Sequence, residues 1–164
     1  MTIEDKGKYH PFWLANQLLY AANQEGIKLT NLHLQKLLYF LHGHSLAENG
    51  NVLSEDKFQP WLYGPVIENV YHCTKVYGSG PITDYCKQFH AARKIFAAFI
   101  VPDEDTEFHQ IFPRVWNKYK NEEAFNLVDL SHADNGAWKK ARDNNQLFIS
   151  NESIKQEFSS IPLD

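Results

Sequence analysis

Sulfur is scarce in this chain: 164 residues contain two cysteines, Cys73 and Cys86, and one methionine. Two cysteines cannot build the multi-bridge framework of small secreted domains, so the fold has to rest on an apolar core. A basic surplus is missing as well. Sixteen Lys and Arg face 20 Asp and Glu, a formal net charge of −4. Nucleic-acid binders gain affinity by neutralising phosphates and releasing counterions, and this balance disfavours such a partner. The tightest basic cluster, Lys139-Lys140-Ala141-Arg142, reads as a solvated helix face. No segment approaches the roughly 20 apolar residues a membrane helix needs. The opening residues Met1–Lys6 show no apolar stretch of leader length. Together these predict a soluble cytoplasmic protein in a reducing compartment, with no membrane partner.

The familiar chemical motifs are absent too. The sequence has no glycine-rich phosphate loop, no Cys-x-x-Cys and no His-Glu-x-x-His. Eight histidines raise the question of metal. However, His42 and His44 are two apart, which on a helix sends them to divergent faces, and His72-Cys73 are adjacent. A nucleophile would require Cys73 or Cys86 to meet a base such as His132 in space, with a third group to orient it. Two ordinary cysteines in a helical protein are the simpler reading. The carboxylate groups at Asp103-Glu104-Asp105 and Glu122-Glu123 suit helix N-termini, where the backbone dipole favours negative charge. The expectation is a protein without metal or cofactor and without enzymatic activity.

What the chain has in quantity is aromatic and apolar surface: eleven Phe, eight Tyr and four Trp, within a hydrophobic share of 43%. Helical spacing dominates. Phe12, Ala15, Leu19 and Ala22 form one stripe, opened by Pro11 and stopped near Gly26. A second helix begins at Thr30 or Asn31 and carries Leu34, Leu37, Leu38 and Leu41 to a turn at Asn49-Gly50. Between Val52 and Leu62 the period becomes short and extended, and Pro60 confines any strand there to an edge. Gly64-Pro65 then starts a helix with Ile67, Val70, Tyr71 and Thr74, which stops at Tyr77-Gly78. Residues 82–101 do not reveal their period. Phe108, Ile111, Phe112, Val115, Trp116 and Tyr119 are helical, with Pro113 predicting a kink or break near Ile111–Phe112. Three shorter helices follow, near Glu123–Leu130, Gly136–Asn144 and Asn151–Phe158. The fold class is therefore mainly α: one compact helical domain over residues 1–164, with a small β-hairpin-like element around residues 52–62.

One set of residues resembles a known family. The order is Leu34-x-Lys36-Leu37-Leu38-Tyr39-Phe40, then Gly43 and Leu46, then Phe58-x-x-Trp61-x-Tyr63-Gly64-Pro65-Val66, then Tyr71 and Tyr77-Gly78. Leu130-Ser131-His132, Ala137-Trp138, Ile154 and Phe158 follow downstream. This pattern is similar to the Panacea, or SocA-like antitoxin, domain and spans roughly Pro11 to Phe158, the core of the single domain. One position departs from it: Pro60 stands where the family commonly has Ala, which bears on the local strand geometry. The resemblance implies an antitoxin that binds and neutralises a cognate toxin protein, or, as in one branch, an adaptor that delivers its toxin to a bacterial protease. A small enzyme with a site near His132 and the Trp61–Pro65 junction is the rival from another class. The expected partner surface comprises Lys36, Trp61, Tyr63, Gly64, Pro65 and His132, because rigid Trp and Tyr beside a turn make good binding anchors. Packing of Trp61, Tyr63, Tyr71 and Tyr77 into the helix–hairpin junction, with His132 bonded to a buried backbone group, is the alternative that the residues alone favour.

Overall fold

The structure, a computed structural model, describes residues 6–164; residues 1–5, where the leader reading began, lie outside it. Among the described residues seven helices form in chain order: α1 Pro11–Gln24, α2 Asn31–Asn49, α3 Glu68–Thr74, α4 Thr106–Tyr119, α5 Ala124–Ser131, α6 Ala137–Asp143 and α7 Asn151–Ser159. A short 3-10 turn, Lys75–Tyr77, extends α3. No helix among the described residues is long and apolar enough to cross a membrane.

Local chemistry sets the boundaries. Pro11 occupies the first turn of α1, where its missing N–H costs nothing, and the His10 ring accepts from Phe12 N. The Thr30 hydroxyl accepts from His33 N and caps α2, which ends at Gly50 with φ of 69° in the left-handed region. Asp105 and Ser150 cap α4 and α7 in the same manner as Thr30. Pro113 lies inside α4, yet the helix runs unbroken from Thr106 to Tyr119. Pro113 faces solvent, so water can take the carbonyl that loses its donor, while Phe112, Val115, Trp116 and Tyr119 hold the buried side in register.

Helix α2 is the axis. It packs against α1, α4, α5 and α7, and every residue from Leu34 to Leu46 is buried. The leucine stripe is only one of its faces. The others carry Gln35, Lys36, His42 and His44, whose polar atoms tie surrounding elements to the axis. His42 Nε2 pairs with Asn151 Oδ1 at 2.9 Å, on α7, and His44 Nε2 with the Tyr119 hydroxyl at 2.8 Å, on α4. Tyr39 donates to Glu157 Oε1 at 2.6 Å. Burial on this scale is tolerated because most of these polar groups find partners; Ser45 Oγ on the same helix and Glu157 Oε2 have none among the described residues.

Among the described residues the strands form two antiparallel hairpins. The first joins β1 Gln59–Trp61 to β2 Gly64–Val66 through the two-residue loop Leu62-Tyr63. It overlaps the predicted 52–62 element and lies towards its end. Val52 and Leu53 instead meet the chain start, with Lys8 N donating to Val52 O and Tyr9 N to Leu53 O. The second hairpin pairs β3 Gln88–His90 with β4 Ile95–Ala97. It occupies the stretch whose period was unreadable. Phe89 and Phe96 face each other on its exposed side, so no buried alternation marks these strands.

Candidate functional site

The β1–β2 hairpin stands over α2 and is held there from three sides. From below, Lys36 Nζ donates to Pro65 O at 3.0 Å, and the Gln35 amide accepts from Ile67 N at 2.8 Å while donating to Ile67 O at 3.1 Å. From α6, Trp138 Nε1 donates to Trp61 O at 2.7 Å and Arg142 donates to Pro60 O at 2.8 Å. From α5, Ser131 approaches Gly64 so closely that a Cβ at position 64 would lie 2.7 Å from Ser131 Oγ and 2.6 Å from Lys36 Cε. Gly64 has φ of 104°, and neither loop residue has positive φ, so the left-handed step that closes the hairpin falls on the glycine.

The structure separates the six expected partner-surface residues into two groups. Lys36, Gly64 and Pro65 are buried and form the underside of the hairpin. Tyr63 is at the tip, 58% exposed, with its ring edge-on to Phe125 at 6.3 Å. Trp61 is half-buried against Tyr71, ring centroids 4.9 Å apart, and its Nε1 donates to Gln59 Oε1. His132 is stacked flat on Trp138 at 3.7 Å, and its buried Nε2 has no hydrogen-bond partner. Trp61 and His132 thus brace the junction, whereas Tyr63 faces outward. Leu62, Tyr71 and Phe125 belong to the same surface and stand outside the six named residues. The available signal was the loop itself: Leu62-Tyr63 places two large side chains where hairpins usually carry Asn, Asp or Gly.

Between the hairpin, α3 and the amino ends of α2 and α5 lies a groove of about 630 Å³. Such volumes fall within the roughly 300–1,000 Å³ of ligand-sized pockets. Leu62, Tyr63, Trp61, Tyr71 and Phe125 line it, with His33 and Lys36 at its base. Leu62 and Phe125 are 66% and 64% exposed, values that waste apolar area unless something covers them. The polar side chains along the base are already engaged within the fold. His33 sits between Thr30 Oγ1 and Glu122 O, Asn31 Oδ1 accepts from Thr74, and Gln35 and Lys36 hold the hairpin. The groove therefore presents an apolar surface with little free polar capacity.

Its chemistry follows from burial. Burial pushes the Lys36 amine down to about 7, so a large fraction is uncharged near neutral pH. A neutral lysine is a nucleophile when a substrate can reach it. Lys36 is 0% exposed beneath Gly64 and Pro65, which denies that access. Burial, and next the nearby Lys36, also hold the His132 imidazole below its usual range. Ser131 Oγ donates to Val128 O at 2.7 Å, away from a serine–histidine pairing. Cys73 is half-buried and Cys86 buried, and both are free thiols. Among the described residues no three His, Cys, Asp or Glu side chains gather as a metal site. The arrangement is suited to holding a surface.

Comparison with known proteins matches the same stretch of chain. The family model described as antitoxin SocA-like, Panacea domain, matches residues 34–139, which contain the hairpin and all six residues named above. The chain is also similar to the antitoxin SocA of Caulobacter vibrioides (strain NA1000 / CB15N), 35% identical over 129 residues. That alignment covers 76% of this chain and 66% of the relative, so the chain spans slightly under two thirds of that protein's length. No solved structure matches.

Proposed function

Because this chain belongs to the antitoxin SocA-like, Panacea-domain family, we propose that it is the antitoxin of a toxin–antitoxin pair and neutralises its toxin by direct contact at the β1–β2 groove. The observation that carries the contact site is the exposed apolar rim of Leu62, Tyr63 and Phe125 above a base whose polar groups are internally satisfied. A surface of this kind gains by losing water and offers few hydrogen bonds to a polar ligand. The toxin segment that fits it presents apolar anchor side chains, as when an amphipathic helix lays its apolar face into a groove. Lys36, Gly64, Pro65 and His132 serve the contact from beneath, by holding the hairpin in the shape that presents Tyr63.

The test is co-expression with the product of the adjacent reading frame, comparing the unaltered protein with Leu62→Asp and Phe125→Asp. Both positions are exposed, so circular dichroism should show native helix content in each variant. Growth rescue and co-purification of the two proteins should be lost in both, with affinity reduced by about 30-fold or more, the equivalent of a hot-spot loss of roughly 2 kcal/mol. Full rescue by folded variants would move the contact away from the groove. Toxin abundance separates neutralisation from delivery to a protease: it should stay constant during rescue, whereas delivery would deplete it.

A further inference from the structure

The β3–β4 hairpin takes no part in the groove, since none of its residues lines it. Its base is fixed to α1. Trp13 Nε1 donates to Gln88 Oε1 at 2.7 Å, and the Trp13 ring stacks on Phe99 with centroids 5.4 Å apart. The buried Asn16 side chain clamps the roots of both strands. It accepts from Cys86 N at 2.8 Å and donates to Cys86 O and Phe99 O, each at 2.9 Å. At the far end the His90 ring accepts from Arg93 N at 3.2 Å and braces the turn. On this fixed arm Phe89 and Phe96 sit directly opposite each other, 57% and 70% exposed, with ring centroids 5.4 Å apart. Among the described residues the sheet has only these two strands, so both outer edges carry unpaired backbone donors and acceptors. Charge sets the hairpin apart as well. Between Asp84 and Asp103 there is no acidic residue, whereas Lys87, Arg93 and Lys94 are cationic, in a chain of net charge −4. Asp84 offsets Lys87 at 3.1 Å, but Arg93 and Lys94 meet no carboxylate among the described residues. Lys94 also holds φ of 54°, a left-handed turn position that glycine or asparagine fills at lower cost. The tip thus keeps a cation where the backbone conformation argues against one.

We propose that the β3–β4 hairpin is a second docking site, which takes an acidic, extended protein segment as a third strand. The segment's backbone pairs with an open edge of the hairpin, and its alternate apolar side chains cover Phe89 and Phe96. Its carboxylates meet Arg93 and Lys94. Each part answers one observation. Rings this exposed gain by losing water. The N–H and C=O groups of an open edge are spaced for another strand. The acid-free stretch complements negative charge, and its two unpaired cations at the tip give that charge a fixed place to land. Cations beside aromatic rings also suit single-stranded nucleic acid. A nucleic acid, however, leaves the strand edges unused, and the net charge of −4 opposes a polyphosphate more than a short acidic segment. Because the hairpin and the groove share no residue, the inference does not depend on the toxin contact.

The experiment titrates the isotopically labelled, unaltered chain with a strand-length synthetic peptide that alternates glutamate and valine, and follows amide chemical shifts. The shifts should saturate and concentrate on residues 88–97, leaving Leu62, Tyr63 and Phe125 of the groove unmoved. Two altered probes address the contacts separately: glutamine in place of every glutamate removes the charge, and N-methylation throughout removes the strand's donors. Each should weaken binding by about tenfold or more. The paired variants Phe89→Ser with Phe96→Ser, and Arg93→Glu with Lys94→Glu, should weaken it by a similar factor while circular dichroism stays native. The altered peptides read the unaltered protein, so a variant that misfolds cannot obscure the result. The proposal is overturned by the absence of saturable shifts on residues 88–97, or by a glutamine or N-methylated peptide that binds as tightly as the parent. Oligothymidylate or phosphatidylglycerol vesicles that occupy the hairpin more tightly than the peptide would likewise overturn it, and would assign the surface to nucleic acid or to lipid.

Discussion

At Gly64 two independent constraints meet: φ of 104°, and a side-chain direction already filled by Lys36 Cε and Ser131 Oγ. Alanine there meets both the left-handed penalty and contact with groups that are themselves held in hydrogen bonds. Gly64→Ala should therefore lower stability by about 1–3 kcal/mol, read as a shift in the urea midpoint. A midpoint equal to the parent's would mean that the hairpin relaxes freely over α2. Its neighbour separates fold from function. Tyr63 is exposed and has only the edge contact with Phe125. Tyr63→Ala should leave stability within roughly 0.5 kcal/mol, as surface changes usually do, and should nevertheless abolish toxin rescue in cells. The sequence could raise the question for Tyr63 but could not answer it, because an aromatic beside a Gly-Pro turn packs or projects according to what α5 and α6 place behind it. Those helices are more than 60 residues away in the chain.

The elements were legible where local chemistry decides them. Pro11, Thr30 and Gly50 mark helix ends through a missing donor, a hydroxyl cap and a left-handed stop, none of which depends on distant residues. The leucine stripe of α2 was equally clear. Its polar faces were not, since a pattern reading sends Lys36, His42 and His44 to solvent. Tertiary pairing with Pro65, Asn151 and Tyr119 overrode that. The β3–β4 hairpin was hidden for the opposite reason: its large apolar residues lie outside the core. For α2 the energetic consequence is direct. Leu38 is 1% exposed in the middle of the helix that α1, α4, α5 and α7 surround. Leu38→Ala should cost on the order of 2–5 kcal/mol in thermal or urea unfolding. An unchanged melt would mean the axis can collapse around the missing side chain. Loss of rescue in this variant would report loss of fold and nothing about the groove.

Across the whole molecule, residues far apart in sequence converge on one support. Lys36 from α2, Ser131 and His132 from the end of α5, and Trp138 from α6 all meet beneath or beside the hairpin. The family resemblance was carried by these residues, and their role in the structure is largely to shape the support, while Leu62 and Phe125 outside that pattern form much of the exposed rim. A buried amine at the centre of such a support makes stability depend on pH, with a sign that can be worked out. Lys36 has its folded-state pKa lowered from 10.5 to about 7 by burial. Between those values the unfolded chain holds a proton that the folded chain has released, so raising the pH favours the folded state, by about 1.4 kcal/mol per pH unit for this one group. Below pH 7 both states are protonated and the full burial cost is present. Lys36→Met removes the titration and also the hydrogen bond to Pro65 O, a pH-independent loss of roughly 1–3 kcal/mol. The difference in unfolding free energy between Lys36→Met and the parent should therefore favour the variant most at pH 7 and decline steadily towards pH 10. His132 lies near Lys36, but an imidazole held below its usual range completes its titration beneath this window. Urea unfolding of both proteins at pH 7, 8, 9 and 10 reads the slope. A difference that stays constant over this range would show that the amine keeps its proton on folding, and with it that Lys36 lies in a wetter setting than the sealed underside of the hairpin.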